Sequence, residues 1–152
     1  MKALTLTQPW ATLVAIGAKR IETRSWSTQY RGPLAIHAAK GIKEEHFVLA
    51  RFGEFQKALS PFYPEVLHQH SYPTWPLGAI IAVCELTDCL EIQPLSFIIP
   101  DKPERSFGDY TPGRFAWILG NVHQLKEPIP AHGALGLWTF AGEIPEKETY
   151  EH

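Results

Sequence analysis

A chain of 152 residues, 45% hydrophobic and 12% aromatic, can bury a substantial core and is expected to form one domain. No run approaches the eighteen or so apolar residues of a membrane span, and "MKALTLTQPW" reads as no export signal, so no membrane role and a cytoplasmic location are expected. The net charge of −2 excludes bulk nucleic-acid binding by overall charge, yet it hides an asymmetry. Lys2, Lys19, Arg20, Arg24, Arg31, Lys40 and Lys43 face a single acid, Glu22, in the first 43 residues, while the remainder is acidic. A local positive field on an acidic body suits a short anionic ligand; the alternative is that these cations scatter over the folded surface.

Along the chain, "ALTLT" (3–7) alternates and predicts a strand. Gln8 and Pro9 open a helix over "PWATLVAIGA", with Trp10, Leu13, Val14 and Gly17 on one face and a left-handed cap expected at Gly17. "IETRSW" returns to a two-residue period, and "PLAIHAA" (33–39) is a further strand. A second helix is predicted from Lys43 to Leu59, with Val48, Phe52, Phe55 and Leu59 at helical spacing. Four prolines in "SPFYPEVLHQHSYPTWP" mark an irregular loop. "LGAIIAVCELTDCLEI" (77–92) predicts a strand long enough to bend or carry a bulge. After a second irregular stretch, "QPLSFIIPDKPERSFGDYTPG", come "RFAWILGNVHQL" (114–125) and "GALGLWTF" (133–140). Residues 143–152 form a polar tail expected to fray, leaving residues 1–142 as the domain. This order predicts a curved or closed sheet with peripheral helices, and the two long loops suit the walls of a site.

Cys84 and Cys89 lie five apart, on opposite faces of a regular strand, which predicts two buried thiols and no disulfide or zinc site. His68 and His70 have a spacing some metal sites use but no evident third ligand, so no metal is expected. His37, in "LAIHAA", reads as a structural histidine.

The chemistry concentrates after the first helix. In an extended "RIETRSW", Glu22, Arg24 and Trp26 share one face and Ile21, Thr23 and Ser25 the other. Lys19, at the helix exit, can reach Glu22. Arginine offers a fork to phosphate or a base edge, glutamate accepts from an exocyclic amine, and tryptophan supplies a stacking plane. The competing reading is a surface Glu22–Arg24 pair with Lys19 solvated and Trp26 packed. Glu22 would hold Lys19 charged, whereas an apolar pocket would drive it toward the neutral form.

Gly17, Lys19, Glu22 and Arg24 match G-x-K-x-x-E-x-R, the signature of the ASCH domains. "LTLTQPWATLVAIGAKRIETRSWSTQYRGPLAIHAAK", "GAIIAVCELTDC", "GRFAWILGN" and "GALGLW" resemble that family in order, from about residue 3 to 140. The resemblance implies an α+β, mainly β fold: a small, closed PUA-like β-barrel with peripheral helices and a cleft between the first helix and the barrel. It implies Lys19, Glu22 and Arg24 as cleft residues, with Trp10, Trp26 and Arg31 as further ligand contacts; Trp75, Trp117 and Trp138 read as core. The partner so implied is RNA or a modified nucleoside or nucleotide, with no cofactor. Some family members are amidohydrolases acting on N4-acetylcytidine, and ribonuclease activity is also attributed to the family; here such chemistry would use Lys19 and Glu22. Glu22, however, stands where the amidohydrolases have a threonine. A third reading is a protein-interaction domain. Some of Asp101, Arg105, Asp109, Tyr110 and Arg114 are expected to wall the cleft.

Overall fold

The computed structural model describes residues 1–95, 98–145 and 149–151. Strand β1 (Lys2–Leu6) is buried on both faces: Leu4 and Leu6 enter the main core, and Ala3 a smaller cluster with Ala35, Ile80 and Leu125. Gln8, wholly buried, then turns the chain. Its side-chain carbonyl accepts from the Thr12 N–H and its amide donates to Pro76 O, both at 2.9 Å. The first of these bonds satisfies one of the amides that the opening turn of a helix leaves free.

Helix α1 (Trp10–Ala15) ends at Gly17, whose φ of +82° gives the left-handed cap expected of it. The helix is buried on two sides rather than one. Ala11, Val14 and Ala15 pack into the sheet core, while Leu13 and Ile16 join a second cluster with Phe55, Leu59, Trp75 and Phe107.

Strands β2 (Ile21–Arg24) and β3 (Gly32–Ala38) follow. The helix predicted from Lys43 to Leu59 is in fact two, α2 (Glu44–Ala50) and α3 (Gly53–Leu59). Phe52 is extended and Gly53 adopts φ +56°, a conformation that glycine takes without a steric cost. The break splits the apolar stripe: Phe55 and Leu59 are buried, Val48 and Phe52 exposed.

The long strand is β4 (Ala79–Glu91), antiparallel to β3 on one side and to β5 (Phe115–Pro130) on the other. Leu86 and Asp88 oppose the consecutive residues Leu119 and Ile118, so Thr87 is an extra, bulged residue. A bulge reverses the face on which later side chains point. Cys84 and Cys89 therefore pack against the same core, not on opposite faces as a regular strand would place them, and both are free thiols.

The remaining strands are β6 (Leu137–Thr139), beside β1, and β7 (Thr149–Glu151), beside the later part of β5. The polar tail is thus not wholly unpaired; residues 146–148 and 152 lie outside the described residues. The sheet order is β2-β5-β4-β3-β1-β6, mixed because β1 and β3 run parallel. The expected closed barrel is instead a half-barrel, since β2 and β6 end the path with no pairing between them among the described residues. Both are short: β6 pairs only with Lys2 to Leu4, and β2 only with Phe115 to Ile118. Trp75 and Trp117 are core, and Trp138 is partly buried. No helix among the described residues is long and apolar enough to cross a membrane.

Burial pushes the Cys84 thiol up to about 12, which leaves almost no thiolate at neutral pH. At pH 8, iodoacetamide is expected to alkylate only the half-buried Cys89 in folded protein and both cysteines after denaturation, read by intact mass. Prompt double labelling of the folded protein would contradict this packing.

Candidate ligand-binding site

Lys19 follows the α1 cap, and its side chain points inward to meet the loop at Phe107. It is fully buried, and its ammonium donates to Ile21 O at 2.5 Å and to Phe107 O at 2.9 Å, with Glu22 Oε1 at 3.5 Å. All three neighbours are acceptors, which suits the three N–H donors of an ammonium group. Burial lowers the Lys19 pKa; Glu22, and more weakly Glu104, oppose that shift.

Glu22 lies one step along β2 and is nearly buried. Its Oε1 accepts from the Thr23 N–H at 3.1 Å and its Oε2 from Arg24 Nε at 3.2 Å. Arg24 in turn donates from Nη2 to Thr5 O at 2.7 Å. Leu6 O accepts from Ala39 on the β3 side, so the Thr5 carbonyl faces the opposite edge, where the β6 pairing has already stopped at Leu4. Arg24 therefore spans the gap between β2 and β1 that the half-barrel leaves open.

The loop after β4 covers the free edge of β2. The Glu104 carboxylate accepts from the amides of Arg20 at 3.0 Å and Ile21 at 2.8 Å. Asp109 N donates to Thr23 Oγ1 at 2.9 Å, and Arg114 Nη2 to Thr23 O at 3.3 Å. An edge strand that would otherwise expose unpaired amides is thus satisfied by side chains.

Between β1, β2, α1 and this loop lies an open cavity of about 530 Å³. Thr5 to Thr7, Trp10, Glu22 to Arg24, Leu49, Phe55, Ser106 to Asp109 and Arg114 line it. Trp10 is held edge-on by His46 (ring centroids 5.1 Å apart) and by Phe55 (6.1 Å).

Of the residues singled out from sequence, Trp10, Glu22 and Arg24 meet in this cavity. Lys19 does not reach its lining; it lies behind Glu22, beneath the Phe107 carbonyl. Trp26, expected beside Glu22 and Arg24, packs edge-on against Trp117 at 4.7 Å and accepts that indole's N–H through its carbonyl. Arg31 pairs with Asp88 at 3.4 Å on an exposed surface. In the second loop, Asp109 and Arg114 line the cavity while Asp101, Arg105 and Tyr110 do not.

Thr23, expected to face away, lines it too, because the loop wraps the edge of β2 and brings both faces of the strand to the cavity. Thr5, Leu49 and Phe55 carry no sequence mark of a site; what places them is tertiary packing. His37 is structural, bonded to Thr5 and Ala131, and His68 and His70 are exposed with no metal-competent cluster among the described residues.

A mainly β half-barrel, with a helix-capping glycine, a buried lysine and a cavity in its unclosed seam, defines the class. The ASCH domain model matches residues 4–129, and the chain belongs to the ASCH domain family, a family associated with RNA binding. The chain is similar to activating signal cointegrator 1 of Mus musculus, with 28% identity over 141 residues, covering 93% of this chain and 22% of that protein. Against activating signal cointegrator 1 of Homo sapiens the identity is 27% over 143 residues, with the same coverage of 93% and 22%. The chain thus spans about a fifth of the length of these curated relatives.

Lys19→Met would leave two carbonyls without a donor and a nearly buried carboxylate with one cation fewer. A loss of about 3–5 kcal/mol in urea unfolding is expected. In the wild type, between the lowered folded-state pKa of Lys19 and its unfolded value near 10.5, the unfolded chain binds the extra proton, so this group adds stability as pH rises through that window. The difference between wild type and Lys19→Met should therefore grow with alkaline pH; a difference that shrinks would refute the lowered pKa.

Proposed function

We propose that the seam cavity receives the base of a nucleotide or modified nucleoside presented by single-stranded RNA. The observation that carries this reading is the convergence of Glu22, Arg24 and the Trp10 ring on one open concavity. A volume of about 530 Å³ is that of a small-ligand pocket rather than a surface dimple. Glu22 offers carboxylate oxygens to an exocyclic amine or ring N–H, with its own donors already set by Thr23 and Arg24. Trp10 offers an aromatic wall, and Arg24 and Arg114 offer guanidinium groups to a neighbouring phosphate. The family's association with RNA points to the same class of ligand.

A hydrolase pairing Lys19 with Glu22 finds less support. Proton transfer needs hydrogen-bond reach of the substrate, and Lys19 is fully buried with its donors directed at Ile21, Phe107 and Glu22.

The test is a panel of nucleosides, nucleoside monophosphates and short single-stranded RNAs, read for affinity by calorimetry and for products by chromatography. Glu22→Gln is expected to weaken binding about tenfold or more, as loss of a charged hydrogen bond does. Arg114→Ala should lower the salt dependence by roughly one phosphate contact. Binding indifferent to both variants, or no binding at all, would overturn the reading; product formation abolished by Glu22→Gln would make the protein an enzyme.

A further inference from the structure

A second cavity, of about 680 Å³, lies beside the first and shares Thr5 with it. Its walls are the ends of β3 (His37, Ala39, Lys40), the entry to β4 (Leu77, Gly78) and the segment after β5 (Pro130 to Leu135). Because β1 and β3 run parallel and pair Thr5 with His37, these two residues lie side by side near the carboxyl ends of their strands, and both line the second cavity.

Its floor is tied together by hydrogen bonds. His37, 2% exposed, bonds Ala131 O at 2.7 Å and Thr5 Oγ1 at 3.1 Å. A carbonyl can only accept, so Nε2 carries a proton, and in the neutral ring Nδ1 accepts from the Thr5 hydroxyl. The Thr5 oxygen then accepts from Trp138 Nε1 at 3.1 Å. Thr5 thus presents its side chain to one cavity's floor and its carbonyl to Arg24 in the other. Gly133 keeps the space open: a Cβ there would stand 2.7 Å from both His37 Cε1 and Thr5 Oγ1.

The lining holds Lys40 and His132 and no carboxylate. Neither has an ion-pair or hydrogen-bond partner among the described residues. Beside them Leu77 and Leu135 are 42% and 99% exposed. A cation without a local counter-charge, next to exposed apolar side chains, offers contacts for a phosphate and for the flat face of a base.

We propose that this second cavity is a subsite for the neighbouring nucleotide of a single-stranded RNA. Lys40 takes the linking phosphate and the Leu77–Leu135 rim takes the adjacent base, so that the two cavities form one track across Thr5. The inference rests on the base-pocket reading of the first cavity and adds the length and class of ligand: an oligonucleotide rather than a lone nucleoside.

The experiment compares nucleosides, 5′-monophosphates and RNA dinucleotides on wild type, Lys40→Glu and Ala134→Trp. Lys40, Ala134 and Leu135 are surface residues, so both variants should fold, checked by thermal melting. In the wild type the best dinucleotide is expected to bind about tenfold more tightly than its parent monophosphate, the scale of one added base contact. Ala134→Trp, which blocks the cavity without changing charge, should erase that gain and leave nucleoside affinity unchanged. Lys40→Glu should reduce dinucleotide affinity about tenfold at low salt, with a shallower salt dependence. A dinucleotide no tighter than the monophosphate, or a gain that survives Ala134→Trp, overturns the second subsite while leaving the base pocket intact. Failure of every nucleoside and monophosphate, with dinucleotide binding that still depends on Ala134 and Lys40, overturns the base pocket and keeps the second site. Absence of all binding overturns both.

Discussion

The buried Lys19 ammonium is the constraint on which the site depends. It joins three pieces of chain that no strand pairing connects: the turn after α1, the start of β2, and the loop at Phe107. A cation with no solvent must find acceptors from the protein, and each acceptor it finds fixes a backbone position. Through Glu22 the constraint passes to Arg24, and through Arg24 to the Thr5 carbonyl of β1. Buried charge pairs of this kind are weak sources of net stability. What this one supplies is position: a carboxylate at the cavity wall, and through it a guanidinium, held from behind by a cation that lies outside the lining.

That chain of contacts also accounts for why the site lies where the barrel fails to close. Had β2 and β6 paired, backbone ladders would have filled the seam and left no concavity. Instead β6 stops after Leu4's partner, the freed Thr5 carbonyl is met by Arg24, and the free edge of β2 is met by Glu104, Asp109 and Arg114. Side chains satisfy what strand pairing does not. Unlike backbone, they can leave space between them, and they supply both signs of charge.

The elements of strongest pattern were legible in the sequence. Strands β1 and β3, the Gly17 cap, the long β4 and the core tryptophans Trp75 and Trp117 follow from period and composition alone. So was the approach of Lys19 to Glu22 and of Glu22 to Arg24, since an extended strand puts alternate residues on one face and a lysine stem is long enough to reach from the helix exit. What spacing does not fix is which way the cluster opens. Lys19 is turned inward by a loop 88 residues away, and Trp26 leaves the cavity to cover Trp117, neither of which local periodicity encodes. The break at Gly53 was open to inference from the glycine itself, but the apolar repeat across it concealed it. The length of β4 allows for a bulge, but nothing local places it at Thr87, where it brings the two cysteines to one side.

The family signature divides in two in this light. Gly17 and Lys19 work on the chain: one permits the left-handed exit from α1, the other fastens the turn beneath Phe107. Glu22 and Arg24 work on the cavity, since only these two of the four line it. A short motif can therefore combine residues that build a cavity with residues that line it. Place in the lining, not membership in the motif, separates the two roles: Lys19 lies behind the wall with no exposed surface, whereas Glu22 and Arg24 form part of it. Place in the lining divides the loop partners in the same way. Glu104 holds the amides of the turn and belongs with Lys19, while Arg114, 30% exposed at the rim, belongs with Arg24. The cavity is thus made by two kinds of group, those that form its wall and those that hold the wall in place.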